Sequence, residues 1–401
     1  MSVKIVIVGS TGKLGTKLLN FTNKYSISIY GITCYRNYKK LNNQKNKYNI
    51  NKSFILNNSV ERYKFLKLLE EKIHVLYFLD YGSLSLTYLN HFLKFNKKSV
   101  IAIANKEMII AGGSILQSKI NKTNNTFIPL DSEHFSLINS NINKNNIQKV
   151  YITASGGPFY FKKKLNLNNV NSKLVLSHPK WKMGKNNLID SSNFINKFLE
   201  IYELSYIYNI PLNKIDFLIS KEAFIHSIVH YNDNTLSLNS FVNDMIITLI
   251  KPLSFFYVIK PVFYKKNYLN NKNLKIEKPI DKRFKIFKYR KVLSNLCHSD
   301  QIRLMIINNS AHKLYLSNKL KYKFSAAGRK RSYIVNESCF KTYCSGLSSH
   351  SIKSSSDNAK KLVIVIVVIC CIVVFVNNDD KHVNVDLSIK WEKNCKKSWF
   401  F

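Results

Sequence analysis

Acidic residues are scarce in this chain: 23 Asp and Glu stand against 62 Lys and Arg over 401 residues, a formal net charge of +39. Such an excess ordinarily points to nucleic acid or an anionic membrane as partner. Here the lysines are spread over the whole chain among abundant Asn, Ile and Tyr, residues with AT-rich codons, so codon bias suffices and no specific nucleic-acid partner is expected. Metal-type cysteine spacing is missing too. The seven cysteines form no ligand set, and Cys370-Cys371 sits inside an apolar run, a pattern of reduced thiols that suits the cytoplasm. No cleavable leader precedes the first apolar run, and no internal repeat is apparent. The Asn-rich stretches 42–51 and 141–146 read as surface loops.

What is present begins with Lys4-Ile5-Val6-Ile7-Val8, an apolar run typical of a buried parallel strand, followed directly by Gly9-Ser10-Thr11-Gly12-Lys13-Leu14-Gly15. Thr16 to Tyr25 reads as a helix. A glycine-rich turn between strand and helix lets a dinucleotide pyrophosphate approach backbone N–H groups at the helix's positive end. The plain alternative is a tight turn with no ligand. A second strand, Ser26 to Thr33, leads to Cys34-Tyr35-Arg36-Asn37, with Lys39 and Lys40 close behind. Arg36 can pair with a ribose 2′-phosphate, which favours NADP over NAD; the alternative is a solvated basic turn.

Against the general scarcity of acids, Pro129-Leu130-Asp131-Ser132-Glu133-His134 sets two carboxylates one residue apart at what should be the end of a strand. Two such groups can share one hard divalent cation. Glu200 is a third, and helical spacing puts Asn196, Lys197 and Glu200 on one face. Lys197 and Asn196, with hydroxyls at Ser155 and Ser191, supply donors for phosphate oxygens. Ser155 precedes Gly156-Gly157-Pro158, a turn whose backbone can approach a ligand closely. The segment His178-Pro179-Lys180-Trp181-Lys182-Met183-Gly184 reads as a lid that excludes water and protects hydride transfer, with a core histidine as the alternative for His178. His226, on the apolar run 224–229, reads as structural and stays outside the expected site.

In order and spacing, Gly9 to Gly12, Ala104-Asn105-Lys106-Glu107, Pro129 to His134, Thr153 to Phe159, His178 to Gly184, Asp190 to Glu200 and Ile225-His226-Ser227 resemble the 1-deoxy-D-xylulose 5-phosphate reductoisomerase family, over roughly residues 3–325. The resemblance implies an NADPH-dependent enzyme. Its substrate would be a small phosphorylated sugar, 1-deoxy-D-xylulose 5-phosphate, rearranged and reduced to 2-C-methyl-D-erythritol 4-phosphate for non-mevalonate isoprenoid biosynthesis. It implies that Thr11, Gly12, Lys13, Leu14, Arg36, Asn37, Asn105, Glu107 and Gly184 contact NADPH, and that Asp131, Glu133 and Glu200 hold Mg²⁺ or Mn²⁺. Ser155, Ser191, Asn196 and Lys197 would bind the substrate phosphate. Lys106, Ser132 and His178 would surround the reacting carbons, with Trp181 covering the substrate and Met183 beside the nicotinamide. The implied catalytic set is Lys106, Asp131, Glu133, His178 and Glu200, in a homodimer.

This sequence departs from the family at several points. Lys13 replaces a small residue, Tyr35 replaces a glycine, and the segment 239–245 lacks the glycine and proline expected before Asp244-Met245. Asn309 stands where a glutamate is expected. A second class of function therefore stays open, a decayed and inactive basic binding protein that retains the fold. A different dehydrogenase on the same fold leaves the Asp190 to Glu200 segment unexplained.

The expected fold is α/β. Residues 1–150 form an NADPH-binding, Rossmann-like domain with a parallel sheet and helices on both faces, and residues 151–265 form an α+β catalytic and dimerisation domain with the flap at 178–184. A lysine-rich linker follows at 266–282, then a small, eroded helical domain at 283–330 and an unassigned tail at 331–401. Within the tail, 362–376 is an uncharged apolar run of 15 residues, short for a membrane span and rich in β-branched residues. A buried strand, a tail from a shifted reading frame and a membrane anchor all remain open for it.

Overall fold

Strands that lie between two helix layers must be apolar on both faces, and the central strands of the first sheet obey this. In β1 (Ile5–Val8), Ile5 and Ile7 join one core cluster while Val6 and Val8 join another on the opposite face. With β2 (Gly31–Cys34), β3 (Lys52–Ile55), β4 (Val75–Phe78), β5 (Val100–Ile103) and β6 (Thr126–Pro129), it forms a parallel sheet of order β3-β2-β1-β4-β5-β6. The order reverses between β1 and β4, and such a switch point is where open α/β sheets take their ligands. Gly9 sits there with φ of 85°, and a Cβ on it would lie 2.6 Å from the Asp80 nitrogen, so only glycine lets the two turns meet.

The second sheet is mixed. Strands β7 (Ile147–Ala154), β8 (Ile215–Ile219), β9 (Ile225–Tyr231) and β10 (Leu236–Ser240) take the order β10-β9-β7-β8, with only β7 and β8 parallel. Its core is aromatic. Phe198, on the helix Ile195–Tyr208, meets Phe217 edge-on at 5.7 Å, and Phe194 meets Phe284 in the same way at 4.9 Å. Phe284, Ile286, Leu293, Leu304 and Met305 all enter this core, so the chain beyond 283 packs on the second sheet. The short helix Ile246–Ile250 returns to the first sheet instead, where the Tyr77 hydroxyl donates to the Leu249 carbonyl at 2.8 Å.

The computed structural model describes residues 2–317, except 144, 163–169, 171, 181–182, 260–273 and 282. The expectations for Trp181, for much of the linker, for residues 318–330 and for the tail with its apolar run fall outside the described residues. Among those described, no helix is long and apolar enough to cross a membrane. The described end of the linker is tied down, with Glu277 forming a bridge to Ile219 at the edge of β8.

One local expectation changes. The second strand starts at Gly31 rather than Ser26, because Ser26 takes φ of 54° and the Ile27 N–H returns to the Thr22 carbonyl at 2.8 Å, closing the preceding helix with a turn. The helix that carries Asn196, Lys197 and Glu200 runs Ile195–Tyr208, and the chain before it forms a separate helix, Lys185–Asn193, the two meeting at Phe194 with φ of 68°. Burial of the Phe194 ring among Tyr160, Phe217, Phe284 and Phe287 compensates that left-handed backbone.

Candidate active site

Three elements converge at the C-terminal edge of the first sheet. After β5, Asn105 caps the helix Lys106–Lys122 by accepting the Met108 N–H at 3.0 Å, while its amide donates to the Gly82 carbonyl at 2.9 Å. This cap points Lys106 inward. After β6, Asp131 caps the short helix Ser132–Phe135, so both carboxylates lie on a helical turn just beyond the strand rather than on the strand end itself. His134 ties that turn to the third element: its Nε2 bonds the Glu200 carbonyl at 2.9 Å.

The helix Ile195–Tyr208 brings Asn196, Lys197 and Glu200 to the same cleft, as their spacing predicts. Lys106 Nζ lies 2.7 Å from Asp131, 3.4 Å from Glu200 and 3.1 Å from Glu203. Lys197 Nζ lies 2.5 Å from Glu133 and 2.6 Å from Glu200. Asn196 donates to Glu200, and Ser132 donates to Glu133. The donors expected for a phosphate thus also engage the protein's own carboxylates.

Carboxylate oxygens of Asp131, Glu133 and Glu200 all lie within 4.8 Å of one another, a spacing that one cation can bridge. Charge fits as well. With Asp131, Glu133, Glu200 and Glu203 ionised against Lys106 and Lys197, two negative charges remain, the complement of a divalent ion. Burial lowers His178 and His226 to about 4, with Lys197 adding to the effect, so neither adds a charge at neutral pH. Burial lifts Glu200 and Glu203 to about 7 against the pull of the lysines, so a cation taken up by Glu200 would displace protons from this cluster. Asp131 moves the other way: burial opposes it, yet Lys106 holds it well below the usual carboxylate range. The buried Asn196 Oδ1 has no partner among the described residues, and a ligand hydroxyl would satisfy it.

The remaining expected residues divide. Ser155, His178, Met183, Gly184 and Ser191 line the cleft together with Lys13 and Leu14. A Cβ on Gly157, whose φ is 58°, would collide with the Ser191 carbonyl, so this glycine lets Ser155 and Ser191 share one wall. His178 Nδ1 accepts the Lys180 N–H at 3.1 Å, which leaves the proton of the neutral ring on Nε2, 3.2 Å from Ser155 Oγ. Lys13 reaches across the mouth, its Nζ donating to the Met183 carbonyl at 2.6 Å. Gly12 begins the helix Lys13–Lys24 with no side-chain cap, which suits an anion there.

Thr11, Gly12, Arg36, Asn37, Asn105 and Glu107 are not on the cleft wall. Asn37 caps the helix Tyr38–Lys47, and Arg36 stacks over the exposed ring of Tyr35.

Two contributors escape the sequence reading. Glu203 lies one turn beyond Glu200, a signal available in the rarity of acids on this otherwise apolar helix. His226 lines the cleft while its Nε2 bonds the Phe241 carbonyl at 3.1 Å; its apolar flanks hid it. The helix His298–Leu316 also reaches the site, through Asn308 and His312, which bond Asp190 Oδ1 at 2.9 and 2.8 Å beside Ser191.

A dinucleotide-type parallel sheet whose cleft gathers three carboxylates spaced to hold one cation is the arrangement of a nucleotide-dependent, metal-assisted enzyme. Known proteins narrow this class. A 1-deoxy-D-xylulose 5-phosphate reductoisomerase from Pelagibacter ubique (strain HTCC1062) is 34% identical over 350 residues, covering 80% of this chain and 88% of its own. One from Clostridium novyi (strain NT) is 30% identical over 346 residues, with 79% and 88% covered. The family profile of the reductoisomerase C-terminal domain matches residues 127–208. The chain belongs to the 1-deoxy-D-xylulose 5-phosphate reductoisomerase family. Its fold is similar to a crystal structure of DOX-P reductoisomerase in complex with NADPH, fosmidomycin and magnesium, with TM-score 0.70, 20% identity and coverage of 92% and 96%. The Zymomonas mobilis enzyme in complex with NADPH gives 0.68, 19%, 92% and 98%.

The buried His312–Asp190 pair makes stability depend on pH. Burial pulls His312 down, but the charge and hydrogen bond of Asp190 outweigh it and raise its pKa above the ordinary value of about 6.5. A raised folded-state pKa gives stability that is complete below the unfolded value and is lost as pH rises through the folded value. The melting temperature of wild type over that of His312→Gln should therefore be highest in mildly acidic buffer and shrink toward alkaline pH. A constant difference would remove the charge from this interaction.

Proposed function

We propose that this chain converts 1-deoxy-D-xylulose 5-phosphate to 2-C-methyl-D-erythritol 4-phosphate, with NADPH as reductant and Mg²⁺ or Mn²⁺ on Asp131, Glu133 and Glu200. The observation that carries the reading is that one cleft is lined by the carboxylate cluster, by Lys13 and Leu14 of the first turn after the glycine-rich loop, and by the donors Ser155, Ser191 and Lys197. When bound, the cation supplies Lewis acidity to the substrate ketone and its neighbouring hydroxyl, and the nicotinamide supplies the hydride.

The chain's own groups do the rest. Lys106, charged and buried, offers an ammonium beside the reacting oxygens, since burial opposes its charge but Asp131, Glu203 and Glu200 hold its pKa well up. His178 stays neutral and presents Nε2–H toward Ser155, so it can orient a substrate oxygen without adding charge. Ser155, Ser191, Asn196 and Lys197 form the proposed phosphate subsite. The Lys13–Met183 contact holds the segment after His178 over the cleft, which helps keep water from the hydride. Arg36, exposed at the end of β2, is the proposed partner of the cofactor's 2′-phosphate, and a cytoplasmic setting suits the free thiols Cys34 and Cys297. The inactive binding-protein reading is disfavoured, because every carboxylate and lysine of the cluster is present and mutually paired.

A homodimer through the second sheet is the proposed assembly. The edge strand β10 exposes Leu236 and Leu238 at alternate positions, 60% and 52% accessible, beside the small buried cluster of Phe224, Ile225 and Ile228.

Glu133→Gln and Glu200→Gln should each lower turnover by roughly 100-fold or more while NADPH affinity, read by fluorescence titration, stays within a few-fold. Wild-type turnover in either variant rejects the cation assignment. Arg36→Asp should shift the ratio of kcat/KM for NADPH over NADH toward NADH, and an unchanged ratio returns Arg36 to a solvated turn. Leu238→Asp should convert a dimer to a monomer in analytical ultracentrifugation; a wild-type monomer, or a variant that stays dimeric, rejects that interface.

A further inference from the structure

Of the four carboxylates around the buried lysines Lys106 and Lys197, the proposed cation site uses three. Glu203 is the one left over: it is 1% exposed, with its Oε2 3.1 Å from Lys106 Nζ. Lys106 also holds Asp131 at 2.7 Å and Glu200 at 3.4 Å, two of the three groups that would ligate the cation. A carboxylate cannot give its best geometry to a cation and to a competing ammonium at once. Lys106 therefore needs a partner of its own, because a buried ammonium without one is strongly disfavoured.

We infer that Glu203 is a positioning residue for the metal chemistry: it keeps the Lys106 ammonium paired, freeing Asp131 and Glu200 to face the cation, and it sets the charge of the cleft to match a divalent ion. The inference rests on the cation reading above. Its position on the helix is suited to the task. Glu203 follows Glu200 by three residues, so one rigid helix presents the ligand and the lysine's anchor on the same side. Without the Glu203 charge, four carboxylates against two ammonium groups become three against two. One negative charge then remains for a divalent ion, and Lys106 leans back onto its ligands. Removing Lys106 as well leaves three carboxylates against Lys197, which restores two negative charges and removes the competitor.

That arithmetic makes the test sign-specific. Mn²⁺ is titrated into the full chain, without NADPH or substrate, and free ion is read by electron paramagnetic resonance. Glu203→Gln should weaken binding by about ten-fold or more, the usual scale for groups that orient metal ligands. Glu203→Asp, which keeps the charge on a shorter arm, should fall between. Adding Lys106→Met to Glu203→Gln should tighten binding again by about ten-fold, a recovery that mere structural damage does not produce.

Circular dichroism checks that each variant is folded. If Glu203→Gln is not, Glu203→Asp and Glu203→Asp/Lys106→Met give the same comparison, with tightening again expected in the double variant. Mn²⁺ affinity in Glu203→Gln equal to wild type, or a double variant no tighter than its single parent, overturns the inference and leaves the cation site standing. A wild type that binds no Mn²⁺, or binding that Glu133→Gln leaves intact, overturns the cation site and the inference together.

Discussion

Two lysines buried among four carboxylates are the constraint around which this structure is arranged. An ion removed from water is tolerated only when opposite charges and hydrogen bonds surround it. Here the required groups come from three places, the helix after β5, the turn after β6 and the helix Ile195–Tyr208 of the second sheet. The ion pairs form only if both sheets stand in one relative position. Buried pairs of this kind contribute little net stability, so their effect is to select an arrangement, and that arrangement is the cleft.

Apolar packing holds the arrangement rigid. The two faces of the first sheet are filled separately, and one of them is closed by residues 246–253, which return from the second half of the chain. Phe198, the residue after Lys197 on the same helix, belongs to the aromatic core and meets Phe217 edge-on, so the helix that carries the charges is anchored by rings. The far helix His298–Leu316 braces the site from behind: Leu304 and Met305 enter the same core while Asn308 and His312 hold Asp190 beside Ser191. A stretch that has lost its family's motif thus keeps a structural hold on the site through other residues.

Much of the fold could be read in advance, for reasons that differ by element. β1, β4 and β5 are continuous apolar runs because both faces are covered. The break at Phe194 was not legible, since no local preference favours a left-handed phenylalanine; only the aromatic pocket around it does. Glu203 escaped because helical spacing alone marks a face and not what stands opposite. Lys106, nearly a hundred residues earlier, supplies its meaning.

The apolar strands, the glycine turn, the carboxylate pair at Asp131 and Glu133 and the Asn196–Lys197–Glu200 face were properties of the sequence itself, because each depends on residues within a few positions of one another. The protein's family was equally legible, since those short motifs keep their order along the chain. Tertiary structure decided what the charges do. That Lys106 answers Asp131, Glu200 and Glu203, that His312 answers Asp190, and that His226 reaches the cleft are outcomes of two sheets meeting. The physical reason is range: backbone preferences act between neighbours, whereas a buried charge is satisfied by whichever opposite charge the fold carries to it.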